Sequence, residues 1–520
     1  MKTQHTNHHP EVLIPNRKSH KSTLVLALLA ALPLHVNADA APAAQLTADN
    51  PHGTAKDADT AGTNKAEAKK THFVKARSNS TTPLSEPPPY VRQLDKTGLP
   101  ILENYGKTLF QDYSWLDVGL EYRIRYEHRD NDLQRPTQET NDPFYHRTRG
   151  YLGIKDILDP LRFAVEFQDS RVRHSGFPKS DDTSGREINE WGFIQAFAEL
   201  HFKDFAESDK TLRVQGGRIA FEELDRRLIA RNEWRNTTNN FDGFRAVFGD
   251  QNDDFQVDAF ALQPVVRTPS SSDRANENIW FYGAIGHLRQ WSDIITLQPA
   301  YFLLDRNEEP GVTRRHIHTA YLRGYGDIGK TGFDYDLTSA YQFGDANTNA
   351  TEIGDHDAQL ATAEIGYRLQ DEYKSRFSLF GGYASGDASP TDSESNRFER
   401  LFGFARPWSS NDYITPENII TAKARFEFQP HEKVRVDGGY SIYWLASDTD
   451  SFVNANLRDT TGNSGSSIGQ ELDLRLRIEL DERIDLNVGY AYFLPGDFTE
   501  KLGKGKESHF AYAEATFRLF

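Results

Sequence analysis

The chain contains no cysteine. A disulfide framework, a thiolate metal site and a cysteine nucleophile are therefore excluded. Methionine occurs once, at Met1. No apolar run reaches the ~20 residues that a membrane-crossing helix needs, and no helical period persists over a long stretch. Mean hydropathy is −0.67 and hydrophobic residues make up 37% of the chain, which excludes a helical transporter. Positive charge is also in deficit. Sixty Lys and Arg stand against 76 Asp and Glu, for a net −16, and this argues against nucleic acid as a partner. Aromatic residues (12%) and glycine (37 residues) are plentiful. A soluble chain of 520 residues would usually divide into several domains. The remaining possibility is one large β-structure, in water or in a membrane.

Arg17, Lys18 and Lys21 precede an apolar run from Leu24 to Leu34, and small residues follow it. This is the pattern of an export signal over 1–38, with cleavage after Ala38. The run is about half the length of a membrane anchor. Residues 39–105 are rich in Ala, Thr, Lys, Ser and Pro, which predicts a disordered periplasmic linker.

Beyond Ser114 the hydropathy alternates with period two. Leu120, Tyr122, Ile124 and Tyr126 share one face, while Glu121, Arg123, Arg125 and Glu127 share the other. The pattern returns at Leu472–Leu480 against Glu471, Asp473, Arg475, Arg477 and Glu479. One oily and one wet face per strand fits a wall between lipid and water. Eighteen such segments occur, many about ten residues long, the length a tilted strand needs to cross a bilayer. Their connections alternate strictly between long (387–418, 446–467) and short (156–160, 249–252, 429–433, 481–483). Long outer loops and short periplasmic turns are the signature of a transmembrane antiparallel up-and-down β-barrel. Closure leaves no unpaired strand edge in lipid. The expected domain is thus an outer-membrane barrel over 106–520, with an even strand number and both ends in the periplasm. Trp115, Tyr151, Trp191, Tyr325, Tyr440 and Trp444 suit interfacial girdles, and the chain ends on an aromatic, Phe520.

The stretch Leu212-Arg-Val-Gln-Gly-Gly-Arg-Ile-Ala-Phe, then Asp225-Arg-Arg-Leu-Ile-Ala-Arg-Asn-Glu-Trp-Arg235, then Phe241-Asp-Gly-Phe-Arg245 resembles the alginate-export family of outer-membrane proteins. Tyr122-Arg-Ile-Arg-Tyr-Glu127 and His146-Arg-Thr-Arg149 are similar to that family's first two strands. An extra glycine, Gly216, departs from the family spacing and leaves the direction of Arg218 open. The resemblance implies an eighteen-stranded barrel that passes an anionic polyuronate outward without ATP. It also implies a periplasmic secretion scaffold as partner, and loops and a periplasmic gate that occlude the pore.

A path for an acidic polymer needs cations that attract without trapping, and Arg pairs carboxylates bidentately. The lumen-facing candidates are Arg123, Arg125, Arg147, Arg149, Arg245, Lys423, Arg425, Arg435, Arg475 and Arg477. Arg218, Arg226, Arg227, Arg231 and Arg235 lie at the end of strand five or on the third outer loop, where an inward fold would form a carboxylate filter. The competing reading is that Arg–Glu ladders hold a wet wall together, since Glu121, Glu166, Asp437, Glu471 and Asp473 share those faces. Asp242 either pairs a constriction Arg or forms a turn with Gly243. Acidic loops at Asp250–Asp254 and Asp387–Glu399 are weak Ca²⁺ candidates without EF-hand spacing, so no cofactor is expected.

Three functions are weighed on these residues: a channel for an acidic polysaccharide, a porin for sugar acids or other small anions, and a membrane-embedded hydrolase. The first is favoured. For the third, His316 and His318 share a strand face, but no Ser-His-Asp arrangement is visible. An energy-coupled receptor would need a folded plug that 39–105 cannot supply. The expected partners are the anionic polysaccharide and outer-membrane lipid around a monomeric barrel.

Overall fold

The computed structural model describes residues 92–93, 115–135, 139–175, 187–289, 291–307, 314–347, 353–389, 392–481 and 483–518. The export signal, most of the linker and Phe520 lie outside the described residues. Eighteen antiparallel strands form the wall. The first nine are β1 (Leu116–Asp130), β2 (Phe144–Ile154), β3 (Leu161–Arg173), β4 (Asn189–Phe202), β5 (Leu212–Ile219), β6 (Phe241–Phe248), β7 (Phe255–Val266), β8 (Ile279–Leu288) and β9 (Thr296–Arg306). The second nine are β10 (Arg315–Asp327), β11 (Phe333–Asn347), β12 (Ile353–Arg368), β13 (Arg376–Ala384), β14 (Ile419–His431), β15 (Val434–Trp444), β16 (Ser467–Glu479), β17 (Ile484–Pro495) and β18 (Ser508–Arg518). Each pairs with its successor, and β18 returns to β1, with Glu121 opposite Arg518 and Asp130 opposite His509. The barrel is closed. The two residues Arg92–Gln93 pair with Asp117–Val118, below the point where β18 stops.

Alternation in the sequence becomes alternation in the wall. Along β1 every second residue, from Asp117 to Arg129, is buried inward. Outward positions are apolar and open, for example Phe244 at 67% and Leu379 at 64% exposure. Trp191 joins that outer belt, whereas Tyr151 and Tyr325 turn into the lumen, against the girdle expectation. Tyr151 packs on Ala164, and Tyr325 lies beneath Arg323. The alternation of loop lengths is also not strict. β11 and β12 run on until the connection between them is only 348–352, shorter than the periplasmic turn at 203–211. Unbroken ladder pairing from Phe333–Tyr367 up to Asn347–Ile353 is what shortens it.

Among the described residues the largest inward folds are loop three (220–240), between β5 and β6, and loop seven (385–418), between β13 and β14, and other outer loops add Leu133, Phe452, Ala455 and Phe498 to the same core. Loops three and seven are joined by backbone hydrogen bonds, Ala230 N–H to Phe402 C=O (3.2 Å) and Phe402 N–H to Leu228 C=O (2.9 Å). Leu224, Leu228, Ile229, Phe398, Trp408 and Ile414 from these loops pack on Phe241, Phe260, Phe281, Phe302, Ile317 and Phe380 of the inner wall. One continuous apolar core therefore lines β5–β13 and carries on at the outer ends of β14–β17 through Ile419, Tyr443, Ile468 and Phe493. This burial, worth about 1.5–3 kcal/mol per large apolar side chain, makes the inward fold of the loops part of the native core. Nearer the periplasm, β14–β16 present Lys423, Arg425, Asp437, Asp473 and Arg475 to the lumen, and the inward positions of β1 are mostly charged.

Candidate functional site

On β1 and β2, Arg123 lies directly opposite Arg147. Like charges in a cross-strand pair repel, and neighbouring strands supply part of the counter-charge, Glu121 to Arg147 at 3.1 Å and Glu514 to Arg123 at 3.6 Å. The tip of loop three adds a further carboxylate and backbone acceptors. Arg123 donates to the carbonyls of Glu233 (2.7 Å) and Arg235 (3.1 Å), Arg125 to that of Trp234 (2.5 Å), and Arg147 to that of Glu233 (3.1 Å). The Glu233 carboxylate receives Arg149, Arg147 (3.4 Å) and Arg231 (2.7 Å). Burial alone would push the Glu233 carboxyl up, but Arg149, Arg231 and Arg147 hold it well below the usual carboxylate range. Arg231 also reaches Glu166 on β3 at 2.5 Å. Arg149, 2% exposed, donates to Gln168 and Thr238 as well. Arg147, Arg149 and Arg231, expected to line an open pore, therefore clamp loop three to the wall and are buried by it.

Loop seven has its own anchor. Glu471 on β16 accepts from Ser409 Oγ (2.6 Å), Ser410 N–H (2.7 Å), Asn411 N–H (3.3 Å) and Asn411 Nδ2 (2.8 Å). This seats the segment 405–411 against β16.

Between the loop tips and the wall run two chambers. The outer one, about 180 Å³, is lined by Arg125, Arg129, Arg235 and Arg400 against Glu127, Glu187 and Asp412. The inner one, about 270 Å³, is lined by Arg123, Arg226, Arg406, Lys423, Arg425 and Arg475 against Glu233, Asp437, Asp473 and Glu514. Cations outnumber carboxylates in both. Trp234 and Phe404 border both chambers and separate them. The indole of Trp234 lies between two guanidinium groups, Arg125 at 3.8 Å and Arg406 at 3.6 Å from the ring centroid. Tyr512 of β18 meets its edge at 4.7 Å.

The sixteen sequence candidates thus fall into distinct places. Arg123, Arg125, Arg226, Arg235, Lys423, Arg425 and Arg475 line the chambers. Arg475 shares Asp437 with Arg477, which lies nearer the periplasm. Arg435 stands at the periplasmic rim near Glu479, at 3.6 Å. Two candidates lie against the apolar core. Arg245 is locked by Asp258 and lies over Phe221, and Arg227 pairs with Asp225 over Phe380. Two lie outside the lumen altogether. Arg218 and Asp242 form a two-pronged ion pair (2.7 and 2.8 Å) on the outer face of the wall, in phase with exposed Phe244. Asp242 is a strand residue, not a turn. The glycines beside this pair are required by the wall. Gly217 has φ +132, and a Cβ there would lie 2.4 Å from the Ala196 carbonyl, with Gly243 (φ +150) in the same position against Ala261.

The acidic loop Asp250–Asp254 is occupied by Lys210, 2.5 Å from Asp254. Among the described residues no group of three His, Asp or Glu is arranged to hold a metal ion. His316 and His318 face outward, beside Asp305 and Tyr301. Sequence reasoning missed Trp234, Phe404, Arg400 and Arg406. The available signal was an arginine among aromatics, Phe404-Ala-Arg-Pro-Trp408, on the longest loop.

A family model described as alginate export matches residues 114–514. No curated protein matches the chain. Among solved structures, OccK8 (OprE) of Pseudomonas aeruginosa is similar at 12% identity and TM-score 0.53, covering 78% of this chain and 98% of that one. OpdK of the same organism, solved with vanillate, is similar at 10% identity and TM-score 0.52, with the same coverage. OccAB1 of Acinetobacter baumannii gives 12%, TM-score 0.51, 78% and 97%. At these identities the likeness is one of fold.

Proposed function

The chain belongs to the alginate-export family and is an outer-membrane channel, and from that premise we propose that it passes an anionic polysaccharide, a polyuronate, outward by passive diffusion. The observation that carries this reading is the file of cations through the charged part of the lumen. Arg400, Arg235 and Arg129 lie outside the Trp234 stack, and Arg123, Arg226, Arg406, Lys423, Arg425 and Arg475 lie inside it. Most of these keep a carboxylate partner, such as Asp473 for Lys423 at 2.6 Å and Asp437 for Arg475 at 2.9 Å. Paired cations hold an anion weakly and let it leave, as conduction requires. A periplasmic scaffold would deliver the polymer to the inner chamber.

A second reading, a porin for sugar acids, is favoured by one observation: the path is divided into two small chambers, each suited to a compact solute. Planar-bilayer conductance separates the two. Polyuronate that blocks ion current at low concentration, with relief in Arg475→Gln, supports the polymer reading. Current altered by monomeric uronate and untouched by polyuronate transfers the function to small solutes.

A further inference from the structure

The sandwich around Trp234 is asymmetric, and that asymmetry assigns a direction. On the outer side, Arg125 is fixed. It is almost fully buried, donates to the Trp234 carbonyl, and pairs with Glu127 at 2.9 Å and Glu514 at 3.2 Å. On the inner side, Arg406 has no carboxylate within ion-pair distance among the described residues. Its hydrogen-bond partner is a carbonyl of its own loop, Ser410, at 2.7 Å. Its guanidinium lies over the Trp234 ring and lines the inner chamber. Whole-loop motion is a poor way to open this barrier, because loops three and seven are bound into the apolar core. The element left to move is the Arg406 side chain, and with it the inner face of the stack.

We infer that Trp234 is a gate latched by Arg406, and that a substrate carboxylate arriving in the inner chamber opens it by drawing the Arg406 guanidinium off the indole face. A carboxylate forms a stronger contact with a guanidinium than an aromatic face does. Trp234 then loses one of its two covers and can swing into the space Arg406 leaves. No equivalent release exists from the outer chamber, since Arg125 cannot be drawn away from two carboxylates and a carbonyl. Opening is therefore driven from the periplasmic side, which makes the passage one-way in its gating though passive in its energetics. This inference rests on the proposed uronate function, and its test is arranged to separate the two.

The full-length protein is inserted in one orientation in a planar bilayer, and a galacturonate trimer or a neutral hexose trimer is added to each side in turn. Expected are openings that rise with uronate on the periplasmic side only. Trp234→Ala should be open several-fold more of the time without any ligand, with Trp234→Phe intermediate. Arg406→Gln should lose the uronate response, and Arg406→Lys should keep it at higher concentrations. Heat-modifiable gel migration verifies that each variant forms the barrel. Wild-type-like closure of both Trp234→Ala and Arg406→Gln overturns the gate, and equal responses from the two sides overturn its direction. A constitutively open Trp234→Ala channel whose parent ignores uronate sinks the uronate reading and leaves the gate standing.

Discussion

Replacing Glu471 by glutamine should release the tip of loop seven while leaving the barrel intact. Glu471 is 0% exposed and takes four donors from Ser409, Ser410 and Asn411, all between 2.6 and 3.3 Å. Hydrogen bonds to a charged group are worth about 1.5–3 kcal/mol each. An amide keeps one accepting oxygen but turns an NH₂ toward groups that are themselves donors. About two bonds are lost, and neighbouring bonds are not additive, so roughly 3 kcal/mol is expected, at the lower edge of what breaking a buried charged contact costs. The loop body remains held by Phe398 and Ile414 in the apolar core and by the Arg397–Asp450 pair. The ladder from β15 through β17 does not use the Glu471 side chain. At about 1.4 kcal/mol per decade, the open population of segment 405–411 should rise about a hundredfold. Chymotrypsin added outside intact outer-membrane vesicles reads this, because cleavage of a transiently open segment follows its equilibrium population. Cutting after Phe404 or Trp408 should accelerate accordingly, with no change in the barrel's melting temperature. Cleavage within about twofold of wild type would refute the anchoring argument, and so would a lowered melting temperature with the loop still protected.

Further outcomes follow from the same geometry. Arg218→Ala should leave anion selectivity, read as reversal potential, unchanged, and should cost about 1 kcal/mol of barrel stability, because its pair with Asp242 lies on the outer face. Arg475→Gln should shift the reversal potential toward cations without unfolding, since Arg477 remains to pair Asp437 at 2.9 Å. Arg149, Arg231 and Arg147 hold the Glu233 carboxyl below its ordinary range against the effect of burial. Its anchoring of loop three is therefore fully present above the unfolded carboxylate pKa, about 4.3, and is lost as pH falls through the depressed folded value. Channel noise should stay flat from neutral pH down to that range and rise only below it, and Glu233→Gln should be noisy throughout. Gly217→Val should hinder barrel formation, seen as loss of heat-modifiable migration, because its Cβ would meet the Ala196 carbonyl in a backbone conformation that costs about 1–3 kcal/mol.

The wall was legible because its cause is local. In β1 or β16 the side-chain period of two sorts each residue to lipid or water regardless of what lies across the lumen, so Arg123, Lys423, Arg425 and Arg475 could be placed inward from sequence alone. Arg218 shares its face with Leu212 and Val214, and Asp242 shares its face with Phe244, so alternation alone puts both on the lipid side. The expectation of a constriction there followed the family motif, not the phase. The interior was less legible. Arg147 and Arg149 read the same as Arg475 along a strand, yet Glu233, more than eighty positions away in the chain, buries the first two and leaves the third in an open chamber.

Composition and alternation by themselves determined a closed antiparallel barrel with a charged lumen, because lipid on one side and water on the other act on every strand independently. Tertiary structure alone decided which charges face a passage. Loops three and seven meet each other and the Phe-rich part of the wall through contacts distant in sequence, and their packing leaves the two charged chambers against β1, β2 and β14–β18. Trp234 becomes a barrier only because β1 brings Arg125 to one of its faces and loop seven brings Arg406 to the other.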